Sequence, residues 1–210
     1  MSERFKYRED REAYSAARVR ALEALLIKKG IITDRTVDTV LEFFETKMGP
    51  FNGAKIVARA WLDPAFQERL IADTPKAIAE LALPEGMAGA EGEHMRAVAN
   101  APGVHNLIIC TLCSCYPWPV LGLPPYWYKD PTFRSRAARE PRAVLAEFGL
   151  PISKDIEVKV WDSSAQIRWF VVPERPAGTE GLSEAELEVL VTPEAMMGVA
   201  VAKLPKDLPC

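Results

Sequence analysis

No stretch of the 210-residue sequence approaches the roughly 18 consecutive apolar residues that a membrane-spanning helix requires. An integral helical membrane protein is therefore excluded. A basic excess is also missing: 26 Lys and Arg stand against 29 Asp and Glu, for a formal net charge of −3. Nucleic-acid binders usually carry a cationic surplus, so no nucleic-acid partner is expected. There is no G-x-S-x-G elbow and no phosphate-binding glycine loop, which argues against a serine hydrolase or a nucleotide enzyme. Internal repeats and low-complexity tracts are absent. The segment MSERFKYREDRE has no apolar signal core, and a cytoplasmic location is expected.

What is present is the composition of a globular protein, 49% hydrophobic and 26% charged. Proline is over-represented, at 17 residues, and Pro117, Pro119, Pro124 and Pro125 crowd one stretch. That stretch follows Cys110, Cys113 and Cys115, three of only four cysteines; the fourth is Cys210. Disulfide frameworks spread their cysteines to close loops, and a bridge across one residue is strained. Such a cluster in a cytosolic chain reads as metal or redox chemistry.

Residues 1–82 read as a helical arm. Val19, Leu22 and Leu26 share one face ahead of a C-capping Gly30, and Thr33 is expected to cap a second helix bearing Val37, Val40 and Phe44. Asn52 opens a third. Asp63-Pro64 and Thr74-Pro75 each read as an N-cap followed by proline. Residues 83–210 read as an α+β metal-binding domain. Leu83 to Ala101 reads as loop, Val104–Ile109 as a strand, and Arg134–Phe148 as a helix split at Pro141. Alternating Ile156, Val158 and Val160 predict a strand that forms a hairpin with Ile167–Val172. Ser183 to Glu186 forms a capping box.

The segment Cys113-Ser114-Cys115 offers two thiolates and, between them, the backbone nitrogens of Ser114 and Cys115. With both amides deprotonated these atoms close fused six-, five- and five-membered chelate rings, a planar N2S2 set. Cys110 can add an axial thiolate, which leaves one position open for catalysis. Amide deprotonation points away from zinc and towards copper(II), nickel(II), or trivalent cobalt or iron. Structural zinc on the three cysteines with His105 or a distant side chain is the alternative, but the second ligand pair of zinc modules is missing.

The run Val104-His105-Asn106-Leu107-Ile108-Ile109, then CTLCSC and YPWPVLGLPPYWYK, resembles the α subunit of nitrile hydratase. The likeness extends to Gly53–Trp61, Glu140–Gly149, Val160–Ser164 and Val172–Glu180. It implies a helical N-terminal arm on a layered α-β-β-α domain carrying a cysteine metal claw. It further implies a non-corrin Co(III) centre, with Thr111 matching the cobalt type over Fe(III). The metal ligands implied are Cys110, Cys113, Ser114 and Cys115, with Cys113 as the sulfinic and Cys115 as the sulfenic acid. The expected reaction is hydration of a nitrile to an amide, with the metal as Lewis acid and the Cys115 sulfenate oxygen or a water as nucleophile. Catalytic assignments fall on Cys115, Ser114, Arg168, Asp162 and Glu91. The implied partners are a β subunit, whose arginines hold the sulfinate, an activator or cobalt-delivery protein, and a small nitrile. Glu91-Gly92-Glu93, Ala99-Asn100-Ala101 and Gln166 depart from the family pattern. The alternatives are a thiocyanate hydrolase subunit and a non-catalytic cobalt-binding scaffold. His94 and His105 are expected to be structural, and Trp118, Tyr126 and Trp127 to line a pocket or interface.

Overall fold

The computed structural model describes residues 3–81, 83 and 94–204, with side chains from residue 13 onward except at 44 and 45. Contacts divide the chain into two units, Met1–Phe43 and Phe44–Cys210. The first holds α1 (Glu3–Lys28) and most of α2 (Thr36–Thr46). Gly30 takes a left-handed φ of 70° just beyond α1, and the Thr33 amide donates to Thr36 Oγ1 at 2.9 Å ahead of α2. Many of its apolar side chains are exposed, including Val19, Leu22 and Val40.

The second unit contains α3 (Pro50–Leu62), α4 (Pro64–Ala72) and α5 (Thr74–Ile78). It continues with β1 (Met95–Ala99), β2 (Val104–Ile109), α6 (Trp118–Leu121) and α7 (Tyr126–Lys129). Then come α8 (Pro131–Arg139), α9 (Pro141–Glu147), β3 (Glu157–Asp162) and β4 (Arg168–Val172). Two short helices follow, α10 (Glu184–Glu188) and α11 (Pro193–Met197). Helices α3 to α5 share one core with the strands: Ile56, Phe66 and Leu70 are buried in the same cluster as Leu107, Ile108 and Phe170. Among the described residues no helix is long and apolar enough to cross a membrane.

The strands form two two-stranded parallel ladders, β1 with β4 and β2 with β3. The expected hairpin between β3 and β4 is therefore corrected. Phe170, Val171 and Val172 are buried consecutively, so β4 needs apolar cover on both faces, as parallel strands do. The loop reading of Leu83 to Ala101 is corrected as well, because Met95–Ala99 is a strand. Residues 84–93, Glu91 among them, lie outside the described residues.

Most helix ends follow their sequence signals, but α3 starts at Pro50, two residues before the expected Asn52, because proline is pre-set for the first helical turn. Asp63 caps α4 by accepting from the Phe66 amide at 3.0 Å. At α5 the cap is Asp73, one residue before the expected Thr74. The buried Thr74 hydroxyl is otherwise engaged: it donates to Leu70 O at 2.8 Å and accepts from the Ala97 amide at 2.8 Å. That side chain ties the helix layer to β1. The split at Pro141 and the Ser183–Glu186 capping box are both present.

Candidate metal centre

Strand β2 carries the site. Its residues from His105 to Ile109 are buried, and it runs directly into the buried Cys110. Its neighbour β3 lies in parallel register, with Ile109 opposite Asp162. The Asp162 carboxylate reaches the first residue past Cys110: Oδ1 accepts from the Thr111 amide at 2.9 Å and Oδ2 from the Thr111 hydroxyl at 2.5 Å. A two-point charge-assisted grip of this kind fixes where the chain turns out of the sheet.

The turn brings the three thiols together, with all their sulfur atoms within 4.8 Å of one another. Cys110 Sγ lies 3.7 Å from Cys113 Sγ, and Cys113 Sγ lies 3.1 Å from Cys115 Sγ. The backbone makes this closeness possible. Ser114 has a φ of 141°, a left-handed conformation that side-chain-bearing residues rarely adopt. Such strain costs on the order of 1–3 kcal/mol and concentrates at functional sites. The Ser114 amide donates to Cys110 Sγ at 3.2 Å and the Cys113 amide to the same sulfur at 3.3 Å. The amides of Ser114 and Cys115 also face Cys113 Sγ.

Crowding separates the thiols electrostatically. Cys113 is held below the usual thiol range, chiefly by the hydrogen bond from Cys115. Cys115 is pushed up to about 12, first by burial and then by the Cys113 sulfur. Of these two, Cys113, which is exposed, loses its proton before Cys115.

The donor set suits a metal that takes thiolates together with amide nitrogens: three sulfurs converge, and the two amides between Cys113 and Cys115 turn inward. His105 is not part of it. Its Nε2–H donates to Gly198 O at 2.7 Å, and its Nδ1 faces the Asn100 amide at 3.4 Å. Burial holds this imidazole below its ordinary 6.5. The zinc alternative thereby loses His105 as its fourth ligand.

The chain matches the nitrile hydratase α-chain family model over residues 13–200. It belongs to the nitrile hydratase α-chain family. This α chain is 52% identical over 190 residues to the low-molecular-weight cobalt-containing nitrile hydratase α subunit of Rhodococcus rhodochrous, covering 90% of each chain. It is 53% identical to the cobalt-containing α subunit of Pseudonocardia thermophila, covering 89% of this chain and 90% of that one. Among solved structures, a double mutant of the Fe-type nitrile hydratase of Comamonas testosteroni Ni1 superposes with a TM-score of 0.80. Its identity is 38%, over 94% of this chain and 95% of that one.

Other residues singled out in the α chain fall around the centre to different degrees. Asp162 meets the claw through Thr111. Arg168, at the start of β4, donates from Nη1 to Ala165 O at 3.2 Å. His94 is half-buried, with Nδ1 at 3.2 Å from Gln166 O. Trp127 packs edge-on against Phe133 and Phe148, at 4.8 and 4.7 Å, whereas Trp118 and Tyr126 stay exposed. Tyr128 escaped the sequence reading. It is fully buried, and its hydroxyl donates to Cys115 O at 2.9 Å. Nothing in the run PPYWYK distinguishes this tyrosine from Tyr126; only packing does.

Proposed function

We propose that the chain is the metal-bearing catalytic α subunit of a nitrile hydratase, converting a nitrile and water to the amide at a low-spin Co(III) centre. The observation that carries this reading is the convergence of Cys110, Cys113 and Cys115 within 4.8 Å in a chain of this family. Cobalt is favoured over iron because relatives with cobalt in their names are 52% and 53% identical, against 38% for the Fe-type structure. Thr111 between the first two cysteines supports the same choice.

In this reading the three Sγ atoms and the amide nitrogens of Ser114 and Cys115 hold the metal, with Cys113 oxidised to the sulfinate and Cys115 to the sulfenate. Bound there, Co(III) supplies a Lewis acid at neutral pH. The chain's own residues do the rest. Cys115, oxidised, would offer its sulfenate oxygen as nucleophile towards the nitrile carbon, the alternative nucleophile being a water. Ser114, through its strained backbone, turns its amide inward. Asp162 fixes the turn at Thr111, and Arg168 and Glu91 are assigned catalytic roles with it. The residues after position 82 are read as a layered α-β-β-α domain and the helices before it as an arm, of which α3 to α5 pack into the same core as the strands. A β subunit completes the enzyme, a cobalt-delivery protein loads it, and the assembly is cytoplasmic.

Co-expression with a β subunit in cobalt-supplemented cells, followed by elemental analysis and peptide mass mapping, tests the reading. About one cobalt per chain is expected, with two oxygens added at Cys113 and one at Cys115, together with amide formation from nitriles. Zinc without added oxygen would overturn it. Turnover of thiocyanate but not of nitriles would favour the thiocyanate hydrolase relationship, seen at 37% identity to the γ subunit of Thiobacillus thioparus. Cobalt bound to unoxidised cysteines without turnover would leave a scaffold subunit.

A further inference from the structure

Cys115 is gripped from behind by a fully buried tyrosine. The Tyr128 hydroxyl donates to Cys115 O at 2.9 Å. The Tyr128 ring stands edge-on against Tyr116, with centroids 5.0 Å apart.

We propose that Tyr128 is a positioning residue for Cys115, and that its hydrogen bond sets the direction of the Cys115 side chain at the metal centre. The inference rests on the function proposed above and concerns the same site. Ser114 has a left-handed φ that leaves the tripeptide free to relax unless both sides are held. The Cys110 sulfur holds the near side through the Cys113 amide, joined in the metal-free chain by the Ser114 amide. On the far side the bond from Tyr128 fixes the Cys115 carbonyl and hence the frame from which its Cβ and Sγ project. A hydrogen bond shielded from water is electrostatically stronger than an exposed one, so this grip is stiff.

The test compares Tyr128→Phe with wild type in the cobalt-loaded complex with its β subunit. Tyr128→Phe is expected to keep its cobalt but lose about tenfold in kcat, as for other groups that orient a metal ligand, with KM unchanged. Its sulfur-to-cobalt charge-transfer band is expected to shift, and the added oxygen at Cys115 to become substoichiometric while that at Cys113 persists. Wild-type kcat per cobalt, band position and Cys115 oxidation in Tyr128→Phe would overturn the proposal, even if the melting temperature fell. If the wild-type complex holds no cobalt, the functional reading fails separately. The contact is then read from the alkylation rate of Cys115 relative to Cys113 in the metal-free full chain. A changed ratio in Tyr128→Phe supports it, and an unchanged ratio overturns it.

Discussion

Strand β2 has a polar cluster at each end, and the two are built on opposite principles. At its start the polar groups of Asn100, His105 and Asn106 are spent on one another and on backbone. Asn100 Oδ1 accepts from the Asn106 amide and from Asn106 Nδ2, at 2.8 and 2.9 Å. Asn106 Nδ2 also reaches Ala99 O, and its Oδ1 accepts from Trp161 Nε1 at 2.8 Å. At its far end the cysteine sulfurs meet mainly each other and two backbone amides, and Cys113 faces solvent. A closed buried network specifies the register of the strands. A cluster of soft donors crowded together at an exposed turn specifies a ligand.

That contrast predicts a double dissociation, and the largest effect falls on the closed end. Gly198 has a φ of 82°, and a Cβ there would lie 1.9 Å from Asn106 O. Gly198→Ala cannot be accommodated without displacing β2, and a loss on the order of 4 kcal/mol or more is expected. Denaturant titration would read it, and a midpoint equal to wild type would break the picture of a closed cluster. Cys113→Ala at the open end is expected to do the reverse. Cobalt per chain and hydration activity should vanish, while the metal-free chain keeps its stability to within about 0.5 kcal/mol, as exposed substitutions do. A large loss of stability in that metal-free variant would show that the claw also holds the fold.

The smallest effect is one of pH. His105 is held below its ordinary 6.5 by burial, which outweighs the raising influence of the Gly198 carbonyl and Glu174. Protonation would set a second N–H against the Asn100 amide. The unfolded chain therefore takes up the proton first. Stability is full above about 6.5 and declines as pH falls through that value towards the folded one. Denaturation midpoints at pH 7.5 and 5.5 should separate more for wild type than for His105→Gln. Equal separations would mean that the closed end is insensitive to charge.

Much of the site was legible because its information is local. Three cysteines in six residues, with a proline-rich run behind them, point to a metal-binding cluster by spacing alone, and their sulfurs do converge. The Pro141 break and the Ser183 capping box likewise depend on neighbours within one helical turn. Strand partners did not carry that kind of signal. Alternating Val158 and Val160 say that one face is buried, not against what, so the hairpin reading failed where parallel pairing with β2 prevailed. Thr74 and Tyr128 were misread or missed for the same reason, since their hydroxyl partners lie at Ala97 and Cys115.

The sequence by itself determined that three thiols would cluster, because covalent spacing limits how far apart their sulfurs can lie, and the runs around them carried the family. Tertiary structure alone decided how that cluster is held. Asp162 lies 51 residues from Thr111 in the chain and reaches it only because β2 and β3 run in parallel register. Tyr128 comes to stand behind Cys115 only through burial in the surrounding core. Contacts of this range are chosen by packing many apolar side chains at once, and no local pattern encodes that choice.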